Sequence, residues 1–336
     1  MSTPEPNIIL IIRLSSLGDC LLMGPVLRGL RHAFPTHKIV WLTRPEYAVI
    51  WQNSEWVDEV VEWKREDNAP LEKLRSLGKI EYVLDLQASP KSRSLVQSLP
   101  VANHAESAPP RWRRTLQIIT KHNWLVNEPP VPLRYLKAAE PWGVKDDGKG
   151  LELPLDNDAL LLVQSSWGHK KRIGLAPGSK HFTKRWPLHN YVTLAHKIIE
   201  AGYGIVWIVG PDEILLIGEI ERNGLSTNQI ITFPDWGLPK LFAAVSLCTA
   251  VVTNDSAAMH IAAGTGCPGV ALFGPTIQEF GFAPFRSHVE VMGRDLWCRP
   301  CSAHGGKKCP LKHHKCMKEI SVDMVWKKLH SEHIGV

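Results

Sequence analysis

The segment Ile8–Ile12 reads IILII, a continuous apolar run that is mostly β-branched, and Arg13 ends it at once. β-Branched side chains suit a pleated backbone, and a run without polar alternation is buried on both faces, as in a strand inside a parallel sheet. Five residues fall short of the roughly 18 of a membrane span and the roughly 7–15 of an export signal's apolar core. A cytoplasmic location is therefore expected. Strand-like runs recur at Ile39–Leu42, Val57–Trp63 and Tyr82–Leu86, with helical spacing over Cys20–Leu30, Leu71–Leu77 and Ser92–Leu99 between them. This alternation predicts an α/β fold in which helices wind around a parallel sheet.

The polar stretch Lys145–Gly150 (KDDGKG) interrupts the pattern and reads as the start of a linker. A second series follows. Strands are expected at Arg172–Ala176, Ile205–Val209, Ile230–Phe233, Ala250–Thr253 and Val270–Phe273, and helices at Leu188–Ala201, Glu213–Asn223, Leu238–Leu247 and Ser256–Gly264. The chain thus reads as two Rossmann-like domains, 1–150 and 151–336, the second ending in a Cys-rich tail at 298–316 and a terminal helix. A length of 336 residues agrees with two domains. Ligands of open parallel sheets sit beyond the carboxyl ends of the strands, so domains facing across a cleft would place an active site there. The net charge of +6 suits an anionic small molecule or a membrane surface. It falls short of the dense basic stripe that nucleic acid requires.

Three strand ends carry chemistry. After the first strand, Arg13-Leu14-Ser15-Ser16-Leu17-Gly18-Asp19 forms a small-residue turn into a helix, so the backbone around Ser15, Ser16 and Gly18 can face an anion. Asp19 would repel a phosphate in direct contact; it is better suited to taking a proton from a substrate hydroxyl, or else it caps the helix. In the second half, Gly174–Ser179 ends a strand, and Lys184 and Arg185 precede Pro187, which suits a first helical position. Cations and helix dipole add there, and with Gly178 and Ser179 they point to an anion site. The third is Thr253-Asn254-Asp255-Ser256, opening a helix of small residues through Ala257, Ala258, Met259 and His260. Its free N–H groups suit a diphosphate, and Asp255 or Ser256 suits a sugar hydroxyl. A plain capping role for Asp255 and a core role for His260 are the structural alternatives.

Together, RLSSLGD, APGS with TKRWP, TNDSAAMHIAAGTGCPGVALFGPT and CRPC with KKCPLKHHKCM resemble glycosyltransferase family 9, the lipopolysaccharide heptosyltransferases, and the Cys/His tail is most similar to that of heptosyltransferase II. The resemblance runs from Ile8 to about Leu329. It implies a GT-B fold and inverting, metal-independent transfer of heptose from ADP-L-glycero-D-manno-heptose to inner-core heptose on Kdo-bearing lipid A, at the inner-membrane surface. Asp19 would be the general base, Lys184 would neutralise the donor diphosphate, and Asp255 would hold the heptose. Ser256 and the N–H groups from Ala257 to His260 would bind phosphate, and Glu213, after Gly210-Pro211-Asp212, would hold the ribose. The chain departs from the family pattern at Ala257, where Gly is frequent, and at Lys180-His181-Phe182, where Trp-Gly is frequent.

A relative using another sugar nucleotide or acceptor would share these motifs. A nicotinamide-dependent oxidoreductase would show G-x-G-x-x-G after the first strand, and RLSSLGD does not. No cofactor is expected for catalysis. Cys298-x2-Cys301 has the spacing of a zinc or iron knuckle, whereas Cys309 and Cys316 are spaced too widely for the standard ribbon. A structural metal and packed reduced thiols stand as the two readings. Arg111, Arg113, Arg114 and Lys121, interleaved with Trp112 and Trp124, are the densest basic group of the first half. They are the candidates for an anionic, membrane-embedded acceptor, against the alternative of a solvated helix face.

Overall fold

The computed structural model describes residues 7–64, 69–101, 103–168, 171–210, 213–225, 230–232 and 236–334. The chain divides into two compact units, Met1–Pro110 with Pro129–Pro154, and Arg111–Glu128 with Leu155–Val336. The first contains a parallel sheet of β1 (Ile8–Ile12), β2 (Lys38–Thr43), β3 (Glu59–Glu62), β4 (Ile80–Asp85) and β5 (Asn103–Glu106), in the order β3-β2-β1-β4-β5. All five β1 side chains are buried, as a central strand requires. Ile8, Leu10 and Ile12 share one core cluster with Val40, Leu42, Val83, Leu95 and Val96. Each such Ile or Leu contributes about 1.5–3 kcal/mol through removal from water. Register aligns Ile12 with both Leu42 and Asp85, so β1, β2 and β4 end at one level.

The second unit contains β6 (Arg172–Ala176), β7 (Gly204–Val209), β8 (Ile230–Thr232), β9 (Ala250–Asn254), β10 (Gly269–Phe273) and β11 (Val289–Gly293). Their order is β11-β10-β9-β6-β7-β8, again parallel. Its core joins Ile173, Leu175, Trp207, Val252 and Leu272 to Val325 and Leu329 of the terminal helix Val322–Leu329. In both sheets the strand order reverses beside the first strand, between β1 and β4 and between β6 and β9. Ligands of such sheets gather at these reversals.

Several boundaries differ from expectation. The single helix expected over Cys20–Leu30 is two, Leu17–Leu21 and Gly24–Ala33, because Pro25 lacks an N–H and its ring cannot follow an unbroken turn. The strands β5 and β11 were not expected. Both are edge strands, and β5 (NHAE) carries no apolar run to announce it. Phe233, Pro211 and Asp212 lie outside the described residues. The stretch Lys145–Gly150, read as the start of a linker, is tied to the first unit, which extends to Pro154: Asp147 and the carbonyl of Gly150 accept from buried Arg28.

The largest difference concerns 111–128. Its basic residues were assigned to the first domain, yet the helix Arg111–Thr120 and the segment after it group with the second unit. Arg114 is 5% exposed and its guanidinium lies over the rings of Phe280 and Phe282, while Lys121 Nζ donates to the carbonyl of Pro300 at 2.7 Å. These long-range contacts are invisible to local periodicity. Among the described residues no helix is long and apolar enough to cross a membrane.

Candidate functional site

In the first unit, the turn after β1 is held by β4 and the loop that follows it. Gln87 Oε1 accepts from the N–H groups of Leu14 and Ser15 at 2.9 and 3.2 Å, and the Arg13 guanidinium donates to the carbonyl of Leu86. Arg13 Nη2 lies 2.7 Å from Asp19 Oδ1, and Asp19 Oδ2 accepts from the Ser16 hydroxyl at 2.8 Å and its N–H at 3.2 Å. Ser16 caps the short helix and Asp19 reciprocates from its third position. The Asp19 side chain remains 20% exposed. Burial alone would raise its pKa, but the Arg13 charge and the Ser16 donors outweigh burial and hold the carboxyl below its ordinary value. Asp19 is therefore a fixed, ionised acceptor with one open side. Arg13 and Gln87 are the residues that motif reading missed; Arg13 was visible as the charge that ends the apolar run.

In the second unit, Asn254 at the end of β9 spans the reversal to β6. Its Nδ2 donates to the carbonyls of Pro177 and Gly178 at 2.8 and 3.1 Å, and its Oδ1 accepts from the N–H of Trp186 at 3.1 Å. The Tyr191 hydroxyl lies 3.2 Å from the same Oδ1 and 3.1 Å from the carbonyl of Ala176. This amide fixes the loop after β6 against the loop that carries Lys184. Beside it, Lys184 Nζ lies 2.8 Å from Asp255 Oδ2, the two side chains 14% and 8% exposed, and the Thr276 hydroxyl donates to the same oxygen at 2.5 Å. Buried charges persist only when paired and hydrogen-bonded, and this pair satisfies both conditions.

Ser256, Ala257, Ala258, Gly178 and Glu213 of the expected donor set lie in this unit, whereas Ser15, Ser16 and Gly18 lie in the first. Ser256 caps the helix Ala257–Gly264 from an extended backbone, which leaves the first-turn N–H groups of Ala257 and Ala258 at the helix start. Gly178 closes the loop because a Cβ there would lie 1.7 Å from Glu213 Oε2. Glu213 itself accepts from the N–H of Gly210 at 2.9 Å, just beyond β7, so its carboxylate stands at the end of the strand next to β6. Dinucleotide folds hold ribose hydroxyls with an acid at that place. Three further expected residues are engaged within the unit. Arg185 Nε donates to the carbonyl of Ser179 at 2.7 Å, and Met259 and His260 are buried in the helix.

The chain is similar to known proteins in sequence and in fold. The family model for glycosyltransferase family 9 (heptosyltransferase) covers residues 73–314. The chain belongs to glycosyltransferase family 9. Among family 9 relatives, the chain is 29% identical over 203 residues to lipooligosaccharide heptosyltransferase 2 of Campylobacter jejuni, covering 57% of this chain and 61% of that protein. The chain thus spans about three-fifths of the length of the curated relatives it matches, 61% and 60% for the two Campylobacter proteins. The crystal structure of the family 9 glycosyl transferase from Veillonella parvula superimposes with a TM-score of 0.79 at 20% identity, covering 98% of both chains. Escherichia coli ADP-heptose lps heptosyltransferase II gives 0.74 at 21%, covering 96% and 97%. At these identities the likeness establishes the fold alone, a GT-B fold with two Rossmann-like domains.

Of the two readings of Cys298, Cys301, Cys309 and Cys316, the structural metal is not supported. Among the described residues no three His, Cys, Asp or Glu side chains form a set able to hold a metal ion, and all four thiols are free. Cys316 packs in the apolar core with Met317 and Ile320. Burial pushes its thiol up to about 11, so it behaves as a small hydrophobe. Cys298 lies 4.0 Å from His313 Nε2.

Proposed function

We propose that this chain transfers heptose from ADP-L-glycero-D-manno-heptose to the inner-core heptose of lipopolysaccharide, with inversion and without a catalytic metal. The observation that carries the reading is the buried Lys184–Asp255 pair, with Thr276 on its carboxylate, at the β6–β9 reversal beside a helix start. Direct displacement of ADP needs a group that takes the acceptor's proton and a site that stabilises the departing diphosphate. Asp19 supplies the first. Its carboxylate accepts the hydroxyl proton while the acceptor oxygen bonds to the anomeric carbon and the bond from that carbon to the diphosphate breaks. Lys184 and the N–H groups of Ala257 and Ala258 receive the negative charge, Asp255 orients the heptose, and Glu213 holds the ribose. Ser15, Ser16, Gly18, Gly178 and Ser179 shape the two loops. The relatives' names, heptosyltransferase 2 of lipooligosaccharide and lipopolysaccharide, support heptose transfer to that acceptor class, and the name of the Escherichia coli structure, ADP-heptose lps heptosyltransferase II, supports the donor. An acceptor anchored in the inner membrane places the protein in the cytoplasm and on that membrane's surface.

The test mixes purified protein with a Kdo-lipid A acceptor bearing one heptose and with ADP-heptose, UDP-sugars or GDP-sugars in turn. Transfer from ADP-heptose alone, unchanged by EDTA, is expected. Transfer from another sugar nucleotide would reassign the donor within the family, and a rate that collapses on chelation and returns with magnesium contradicts the metal-free mechanism.

A further inference from the structure

The Cys/His tail has no task in the chemistry above, yet it packs directly behind the donor-site pair. The turn Phe182–Lys184 is held on three sides by this tail. Thr183 N–H donates to the carbonyl of Gly306 at 3.1 Å, Gly306 N–H donates to the Thr183 hydroxyl at 2.8 Å, and His314 Nε2 lies 2.8 Å from the carbonyl of Thr183. A carbonyl only accepts, so His314 carries its proton on Nε2 and donates. Its ring also stacks at 5.3 Å on Phe182. Gly305, at φ +91°, lies flat on the aliphatic stem of Lys184; a Cβ there would sit 3.1 Å from Lys184 Cγ and 2.8 Å from His181 Cβ. The tail reaches the carboxylate half of the pair as well. Arg299 Nη2 donates to the carbonyl of Thr276 at 2.8 Å, Cys301 N–H donates to that of Pro275 at 3.0 Å, and the Thr276 hydroxyl bonds Asp255.

We infer that the loop 298–314 is the brace that sets the Lys184–Asp255 geometry, with His314 the positioning residue for Lys184 and Arg299 that for Asp255. The inference rests on the donor-site reading above. A lysine stem has four rotatable bonds, and a cation meant for a diphosphate is effective only if its position is fixed before the ligand arrives. Residues 302–306 and His314 fix the backbone and the stem, leaving only the ammonium end to exchange Asp255 for an incoming anion.

The experiment measures ADP affinity by titration, donor and acceptor KM, and melting temperature for His314→Phe, His314→Gln, Lys184→Ala and the double variant His314→Phe/Lys184→Ala. Phenylalanine keeps the ring against Phe182 and deletes the donor; glutamine restores a donor at similar reach. We expect His314→Phe to weaken ADP about tenfold, the scale of one well-placed charged contact, with donor KM rising and acceptor KM unchanged. His314→Gln should recover most of that loss, and His314→Phe should cost little more once Lys184 is already alanine. Equal losses in both backgrounds, or a folded His314→Phe that binds ADP normally, overturn the brace. Lys184→Ala with unchanged ADP affinity sinks the donor-site reading itself and the brace with it. Should His314→Phe not fold, Ser302→Ala serves in its place, since the Ser302 hydroxyl closes the turn by donating to the carbonyl of Gly305 and accepting its N–H, both at 2.9 Å. A severalfold weaker ADP complex is expected there, and normal affinity overturns the proposal.

Discussion

Asp19 carries two loads, a cap on a short helix and the proposed proton acceptor, and they separate experimentally. Asp19→Asn keeps an oxygen for the Ser16 donors but cannot take a proton. Transfer should fall by roughly 10²–10⁴-fold while ADP affinity and folding stay close to wild type. Near-normal turnover would reduce Asp19 to its cap. The same residue makes a pH prediction. Its folded-state pKa is depressed, burial being outweighed by Arg13 and Ser16, so near pH 4 the unfolded chain binds more protons than the folded one. The pair's stabilisation is then fully present above the ordinary carboxylate pKa and lost as pH falls through the folded value. Urea titrations of wild type and Asp19→Asn should differ by a constant amount above about pH 5 and converge in more acid solution. A difference that persisted unchanged to pH 2 would contradict the ion pair.

At the scale of elements, the segment 111–128 combines exposed Trp112 (61%) and Ile119 (70%) with exposed Arg111 and half-buried Arg113. Arg113 already pairs with Glu128 at 2.8 Å, and Arg114 and Lys121 are committed to Phe280, Phe282 and Pro300. The proposed contact with an anionic acceptor or lipid surface therefore narrows to Arg111, Arg113 and Trp112, whose amphipathic ring suits a membrane interface. Changing Arg111 and Arg113 to Ser together with Trp112→Ser should weaken binding to anionic liposomes and raise acceptor KM, both in a salt-sensitive way, with ADP affinity unchanged. Arg114→Ser should instead lower the melting temperature, because it removes a buried cation from two rings. Liposome binding that is untouched by the triple change would leave the segment an ordinary solvated face.

At the scale of the whole molecule, a preformed anion site should show as ligand-linked stability. ADP at about 100 times its dissociation constant adds ~2.7 kcal/mol to a two-state unfolding unit, and the resulting rise in melting temperature should be the same with and without EDTA and be smaller in Lys184→Ala. A rise seen only with added magnesium would show that a metal carries the diphosphate. The two parallel sheets and the three strand-end motifs were legible in the sequence, because strand and helix periods are local and turn chemistry occupies a few consecutive residues. Ile8–Ile12 proved fully buried, and Gly178, Lys184, Asp255 and Glu213 lie in segments that follow β6, β7 and β9. Sequence alone did not reveal which residues hold those motifs in place. Gln87 reaches back 73 residues to Leu14, Asn254 reaches 77 to Pro177, and His314 reaches 131 to Thr183. It likewise put 111–128 with the first domain, where the folded chain groups it with the second unit, and left open whether four closely spaced cysteines converge. Contacts between distant parts of the chain leave no periodic trace, since any residue of suitable hydrogen-bonding type could make them. Only the folded chain decides which one does.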